Sequence, residues 1–197
     1  MASYQLPAVP AHHRGTRGTI SRKLALLFLR LAGWQVTGEV PEHKRFICVT
    51  GPHTSNWDFV YGLSAAVAIN LDIHWLGKDT LFKSPLRKIM FWLGGIPIDR
   101  ANPKGVAEDV AQKIRQADDM ALIITPEGTR SKVGKWKTGF LRIAAMSDSV
   151  LVITTVDYAN KVVGLGEVLR PGDDMAADIE FIQSRFAQVT PKHPQNH

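Results

Sequence analysis

His53 and Asp58 stand five residues apart in "GPHTSNWDF" (51–59), where an apolar run, "RFICVT", hands over to a helical pattern. An imidazole whose one nitrogen is held by a carboxylate can use the other as a general base. Geometry restricts that pairing. Five residues of regular helix turn the chain by about 500°, leaving two fully helical side chains about 140° apart. The pair can meet only if His53 lies in the turn before a helix and Asp58 in its first turn. Ser55 is a good N-cap, and "SNWD" has the form of a capping box with Asp58 at the third helical position. Two readings stay open: Asp58 simply caps a helix beside an incidental histidine, or the two are catalytic partners. A histidine there feels the positive end of the helix dipole, which opposes protonation, while the carboxylate pulls the other way.

"TPEGTRSKVGKWKTG" (125–139) is the second stretch. A Pro-Glu-Gly turn after an apolar run precedes Arg130, Lys132, Lys135 and Lys137. Arg130 offers a planar fork suited to a phosphate, the lysines add point charges, and Thr129, Ser131 and backbone amides add donors. The plain alternative is a solvated basic loop. The third stretch, "GGIPIDR" (94–100), puts Asp99 and Arg100 at a strand end after a Gly-Gly turn, and Arg100 alone could be an ordinary ion-pair partner. No serine or cysteine has a nucleophile setting such as G-x-S-x-G, so direct attack by a substrate group is more economical than a covalent enzyme intermediate.

These residues need elements to position them. From residue 45 onward strand and helix patterns alternate: strands at "RFICVT", "DIHWLG", "IPID" and "MALIIT", a strand pair at "VLVITTVDY" and "KVVGLGEVLR", and helices over 56–69, "SPLRKIMFWLG", "NPKGVAEDVAQKIRQA", 137–147 and 174–187. The alternation predicts a single α/β domain over 41–190, with a largely parallel or mixed central sheet flanked by helices. In such folds ligands sit at the carboxyl ends of strands, so the three polar stretches can converge on one cleft. Before this domain, residues 1–18 read as a loose basic arm and 19–40 as an amphipathic helix. Its Lys23 and Arg30 lie on one face among leucines and Phe28, which fits either core packing or a membrane interface. Residues 191–197 read as a polar tail.

Composition narrows the partners. A chain of 197 residues, 45% hydrophobic and 21% charged, has room for one packed domain. The net charge of +6 and pI near 9.6 point to an anionic partner: nucleic acid, a membrane surface, a phosphorylated substrate or an acidic carrier. The single cysteine, Cys48, excludes an internal disulfide and a cysteine-built zinc site, and fits a reducing compartment. His53, His74 and Asp58 lack compact metal-ligand spacing, so no metal is expected. No apolar run approaches the roughly 18 residues needed to span a bilayer, and "LALLFL" is too short and too soon followed by Arg30 to read as a signal peptide.

Taken together, "HTSNWD", "GGIPIDR" and "PEGTRS" resemble, in order and separation, three blocks of the glycerolipid (lysophosphatidate-type) acyltransferase family, over roughly residues 45 to 160. The H-x4-D block alone is unspecific; followed about 70 residues later by E-G-T-R-S it is strong. The resemblance implies that His53 deprotonates an acceptor hydroxyl, which attacks an acyl thioester of coenzyme A or acyl carrier protein, with Asp58 supporting His53. It implies an acceptor-phosphate site of Glu127, Gly128, Thr129, Arg130 and Ser131 assisted by Arg100, with Lys135 and Lys137 as auxiliary cations. It also implies no cofactor beyond the thioester co-substrate, a lysophospholipid acceptor such as 1-acylglycerol-3-phosphate, and a cytoplasmic protein held peripherally on the inner membrane face. One departure is the fourth block, where the family commonly has a proline and this chain reads "VLVITTVDY". Two other classes carry separate expectations: a hydrolase using the same His-Asp pair on an acyl ester or thioester, and a basic nucleic-acid-binding protein, for which no RNA-binding aromatic motif or helix-turn-helix signature is present.

Overall fold

A computed structural model describes residues 5–83, 85–99, 105–131, 134 and 136–196. Among these, seven strands form one mixed sheet: β1 (Gln35–Gly38), β2 (Arg45–Gly51), β3 (Ile73–Lys78), β4 (Gly95–Ile98), β5 (Met120–Ile124), β6 (Val150–Asp157) and β7 (Val162–Leu169). Their order across the sheet is β1-β7-β6-β2-β5-β3-β4. Every pairing is parallel except the β6–β7 hairpin. The longer helices are α1 (Thr19–Ala32), α2 (Asn56–Ile69), α4 (Val106–Gln116), α5 (Gly139–Ser147) and α6 (Met175–Phe186), with a short α3 (Arg87–Trp92) between β3 and β4.

The unbroken apolar run of β2 follows from its place at the middle of the sheet. Phe46 and Cys48 join one core with Leu63, Ala66 and Leu29 from α2 and α1. Ile47 and Val49, one residue out of step, join a second core with Ile114, Phe140 and Ile182 from α4, α5 and α6. A strand covered on both faces needs apolar residues at both parities. Buried among such neighbours, the Cys48 thiol is pushed up to about 12, chiefly by desolvation. It is an inert core residue.

Three expectations change. The helix foreseen over 19–40 stops at Ala32. Gly33 takes a left-handed φ of 77°, its N–H and that of Trp34 close on Arg30 O and Leu29 O, and the chain turns into β1. That strand is one end of the sheet and pairs with β7; Gly38 at its close must be glycine, since at φ 92° a Cβ would lie 1.7 Å from Leu165 O. The loose basic arm is also packed from residue 9 on. Val9, His13 and Arg17 are buried; His13 Nε2 pairs with His43 O at 2.8 Å, and Arg17 donates to Leu71 O at 3.0 Å and Trp92 O at 3.2 Å. Polar composition implied solvation there, but these polar heads find partners inside the protein. The polar tail, finally, folds back onto the domain, as shown below.

Candidate active site

β2 lies between β5 and β6 and runs parallel to both, so the loops after these three strands leave the same edge side by side. That edge is where a parallel sheet presents ligands. It collects 51–55 from β2, 125–131 from β5 and Tyr158 from the end of β6.

Local chemistry sets the first loop. Ser55 is extended and caps α2: its Oγ accepts Trp57 N–H at 3.2 Å, while Asp58 returns its carboxylate to the Ser55 N–H at 2.8 Å. The same Asp58 Oδ2 accepts Thr54 N–H at 2.8 Å and faces His53 Nδ1 at 3.1 Å. Capping and histidine contact are therefore one arrangement, not alternatives. A carboxylate only accepts, so Nδ1 carries the hydrogen, and in the neutral ring the lone pair is then on Nε2. The His53 side chain remains 21% exposed, whereas that of Asp58 is 3% exposed. Substrate can reach the imidazole, and water can barely reach its partner.

Asp58 has a further partner that sequence reading missed. Tyr158 donates its hydroxyl to Asp58 Oδ1 at 2.7 Å. Burial works to raise the Asp58 carboxyl, but the hydrogen bonds from His53, Tyr158 and Ser55 outweigh it and hold it below its ordinary value. Burial and the Asp58 charge drive the Tyr158 phenol up in turn, so it stays a neutral donor. In "VLVITTVDY", expected as a strand and lacking the family's proline, the usable signal is a tyrosine at the carboxyl end of a strand adjoining β2.

Glu127 enters from the other side. Its carboxylate straddles the His53 backbone N–H, at 2.9 Å to Oε2 and 3.2 Å to Oε1. It is buried, and desolvation raises its carboxyl above the ordinary value, only partly offset by that hydrogen bond. Glu127 therefore points at the base-bearing loop, away from the exposed face formed by Gly128, Thr129, Arg130 and Ser131. Gly128 adopts φ 66° beneath the Lys137 side chain, and Thr129 Oγ1 accepts the Ser131 N–H at 3.4 Å. Arg130 reaches across to donate to the Asn56 side chain at the first turn of α2. A guanidinium and a helix N-terminus are thus brought to one place, both suited to an anion. Buried Trp136, packed on Phe186, anchors the far end of this loop. Asp99 follows the end of β4; Arg100, Lys132 and Lys135 lie outside the described residues.

The C-terminal segment completes the rim. Tyr158 N–H donates to Thr190 O, His193 N–H donates to Thr54 Oγ1, and Lys192 Nζ sits 4.9 Å from the Trp57 ring centre. Lys192 therefore adds a cation beside the turn that holds His53, and no local pattern in the tail announces it. Among the described residues, no group of three His, Cys, Asp or Glu could hold a metal ion.

The chain as a whole resembles known proteins. A protein-family model described as Acyltransferase matches residues 33–157, a span that includes β1 through β6 together with His53, Asp58, Glu127 and Arg130. The 1-acyl-sn-glycerol-3-phosphate acyltransferase of Streptococcus pneumoniae is 28% identical over 147 residues, 73% of this chain and 53% of that protein. The chain thus spans about half the length of that curated relative. The crystal structure of the 1-acyl-sn-glycerophosphate acyltransferase PlsC from Thermotoga maritima shares the fold, with a TM-score of 0.65 at 17% identity over 86% of this chain and 76% of that one.

Proposed function

We propose, from the premise that this chain belongs to the acyltransferase family, that it transfers a fatty acyl group from a thioester to the hydroxyl of a lysophospholipid-like acceptor of the 1-acylglycerol-3-phosphate type. The observation that carries this reading is the contact of His53 Nδ1 with the buried Asp58 carboxylate at 3.1 Å, beside an exposed Arg130. His53 Nε2 takes the acceptor's hydroxyl proton as its oxygen attacks the thioester carbonyl. The tetrahedral adduct collapses with cleavage of the C–S bond, and the imidazolium returns the proton to the departing thiolate. The low-lying Asp58 carboxylate stays charged throughout and stabilises the imidazolium. Arg130 and the start of α2 take the acceptor phosphate, with Thr129, Ser131 and Lys137 around it; Lys192 is a further cation on the same rim. The thiol carrier is coenzyme A or acyl carrier protein.

Both substrates of such a reaction are amphiphiles, and the surface suits them. Ile20, Leu24, Leu27 and Leu31 form an exposed stripe along α1, and Leu86, Ile89, Phe91 and Trp92 are exposed around α3. Arg17 ties the two regions together through its bond to Trp92 O. No described helix is long and apolar enough to cross a membrane. In this reading α1 and α3 rest on the interface, with Lys23 and Arg30 among the headgroups.

The test is incubation with labelled acyl thioester, with and without lysophosphatidate, for the protein and for His53→Ala. Acceptor-dependent formation of the diacyl phosphate is expected, falling about 100- to 10,000-fold in the variant with its fold unchanged. Free fatty acid without lipid product would replace transfer by hydrolysis. Undiminished transfer in the variant would remove His53 as the base.

A further inference from the structure

A second cationic feature lies at the opposite end of α2. A cavity of about 300 Å³ is bounded by Leu6, Val9, Arg14, Arg22, Ile69 and Asn70. α2 is 14 residues long, so the cavity stands about 20 Å from the His53 turn. Arg14 and Arg22 precede the span matched by the family model.

Arg22 occupies an unusual place on its helix. It comes seven residues before Leu29, the buried residue of α1. On a helical wheel it falls roughly 140–200° from the exposed stripe of Ile20, Leu24, Leu27 and Leu31, on the side that packs against the domain. An apolar residue would be ordinary there. Instead the Arg22 Nε is buried with no hydrogen-bond partner among the described residues. The Asn70 side-chain oxygen, at the close of α2, is likewise buried and unpartnered. Among the described residues, the Arg14 side chain spends its Nε on Val9 O at 3.0 Å and no other nitrogen. Buried polar groups are nearly always paired, so the Arg22 Nε and the Asn70 side chain each call for a partner. Among the described residues, no carboxylate lines the cavity.

We propose that this cavity is an anion site that takes the phosphoryl group of an organic phosphate between Arg14 and Arg22. Leu6, Val9 and Ile69 receive the apolar part of the same ligand. Asn70 contributes its amide nitrogen once its side chain is turned, an assignment set by partners and not by shape. The carboxyl end of α2 opposes an anion with only about half a charge. Its carbonyls are already blunted, since Ala66 O accepts Leu71 N–H and Val67 O accepts Asn70 N–H. Two guanidinium charges outweigh that. Because Arg22 faces away from the apolar stripe of α1, the ligand arrives from water and not from the layer that stripe would touch.

Backbone-amide NMR of the full chain reads the site directly. Inorganic phosphate, titrated against chloride at matched ionic strength, is expected to move the Gly15, Asn70 and Leu71 amides saturably, and butyl phosphate is expected to bind more tightly. Arg22→Gln weakens this response about tenfold or more, as loss of a charge-assisted bond requires; Arg130→Gln leaves it in place. Arg14→Gln, an exposed change that spares packing, weakens it as well. A response to phosphatidylglycerol vesicles but not to soluble phosphates or phosphatidylcholine vesicles would overturn the approach from water, leaving the phosphoryl chemistry with a lipid headgroup as its source. No saturable movement with any probe, or movement unchanged in both arginine variants, overturns the site. Melting in phosphate-free buffer gives a second reading. Arg22→Met keeps or raises Tm if the guanidinium awaits a ligand, and a large fall would mean it serves the fold alone and would overturn the proposal.

Discussion

Asp58 and Glu127 flank one histidine, the first at its ring and the second at its backbone, and both are almost wholly withdrawn from water, at 4% and 6% exposure. Their carboxyls nevertheless move in opposite directions, Asp58 down and Glu127 up. Burial presses both upward, so burial is not what separates them. The difference is the supply of donors. Among the described residues, Asp58 receives Thr54 N–H, Ser55 N–H, His53 Nδ1–H and Tyr158 O–H, whereas Glu127 shares a single N–H between its two oxygens. A helix start is a cluster of unused N–H groups, and the Pro-Glu-Gly turn has no such surplus. The same residue class thus yields a fixed charge on one side of His53 and a reluctant one on the other.

Asp58→Asn strikes the better-supplied carboxylate and carries the largest expected effect. The amide keeps one accepting oxygen and turns an NH2 toward groups that themselves donate. Stability should fall by about 1–3 kcal/mol, since buried donors are left unmet. Activity should fall far more, on the order of 1,000- to 10,000-fold, because the ring loses the partner that fixes its tautomer. The sign with pH follows from the depressed Asp58 carboxyl. Its stabilisation is complete above the ordinary value of about 3.9 and is lost as pH falls through the lower folded value. Acid melts of the variant should therefore be flatter than wild type over that interval. Near-normal turnover in Asp58→Asn would reduce Asp58 to a cap.

How far the sequence announced this site depends on the range of the contacts. The His53–Asp58 turn was legible because capping is local: Ser55, Asp58 and the polar-to-apolar step all lie within a few residues. The alternation of apolar runs gave the α/β layering for a similar reason, as both faces of β2 write themselves into one segment. β1 escaped because "QVTG" is four residues long with only Val36 buried, too short to show a period. Tyr158 and Lys192 escaped because their partners lie 100 or more residues away, and nothing local marks a tyrosine that will meet an aspartate. The resemblance of "PEGTRS" to a family block implies that Glu127 meets the acceptor's phosphate, yet its side chain turns inward while Thr129, Arg130 and Ser131 are exposed.

Tyr158→Phe removes one donor from the favoured carboxylate and so nudges Asp58 toward Glu127. Loss of the bond at 2.7 Å should cost about 1–2 kcal/mol in stability and about tenfold in turnover. Because Tyr158 acts through Asp58, whose carboxylate then draws more strongly on the His53 ring, the acid limb of the pH–rate profile should move toward higher pH. A lower rate with an unmoved profile would make Tyr158 a packing residue beside Trp34 and nothing more.

Glu127→Gln tests the poorer side and should have the smallest effect, with the opposite sign. The glutamine oxygen can still accept the His53 N–H, while the buried charge disappears. A carboxyl whose folded value is raised costs stability above that value, and the cost fades as pH falls below the ordinary value of about 4.3. The variant should then match or exceed wild type at neutral pH, by no more than the roughly 2–4 °C in Tm that about 1 kcal/mol gives a chain of this size. The two melting curves should converge in acid. Turnover and the acceptor KM should hardly change, since the group the acceptor would meet is Arg130. A raised acceptor KM with an unchanged Tm would mean that Glu127 turns outward when substrate arrives. The two carboxylates would then differ in job as well as in charge, one holding the base and the other sensing the headgroup.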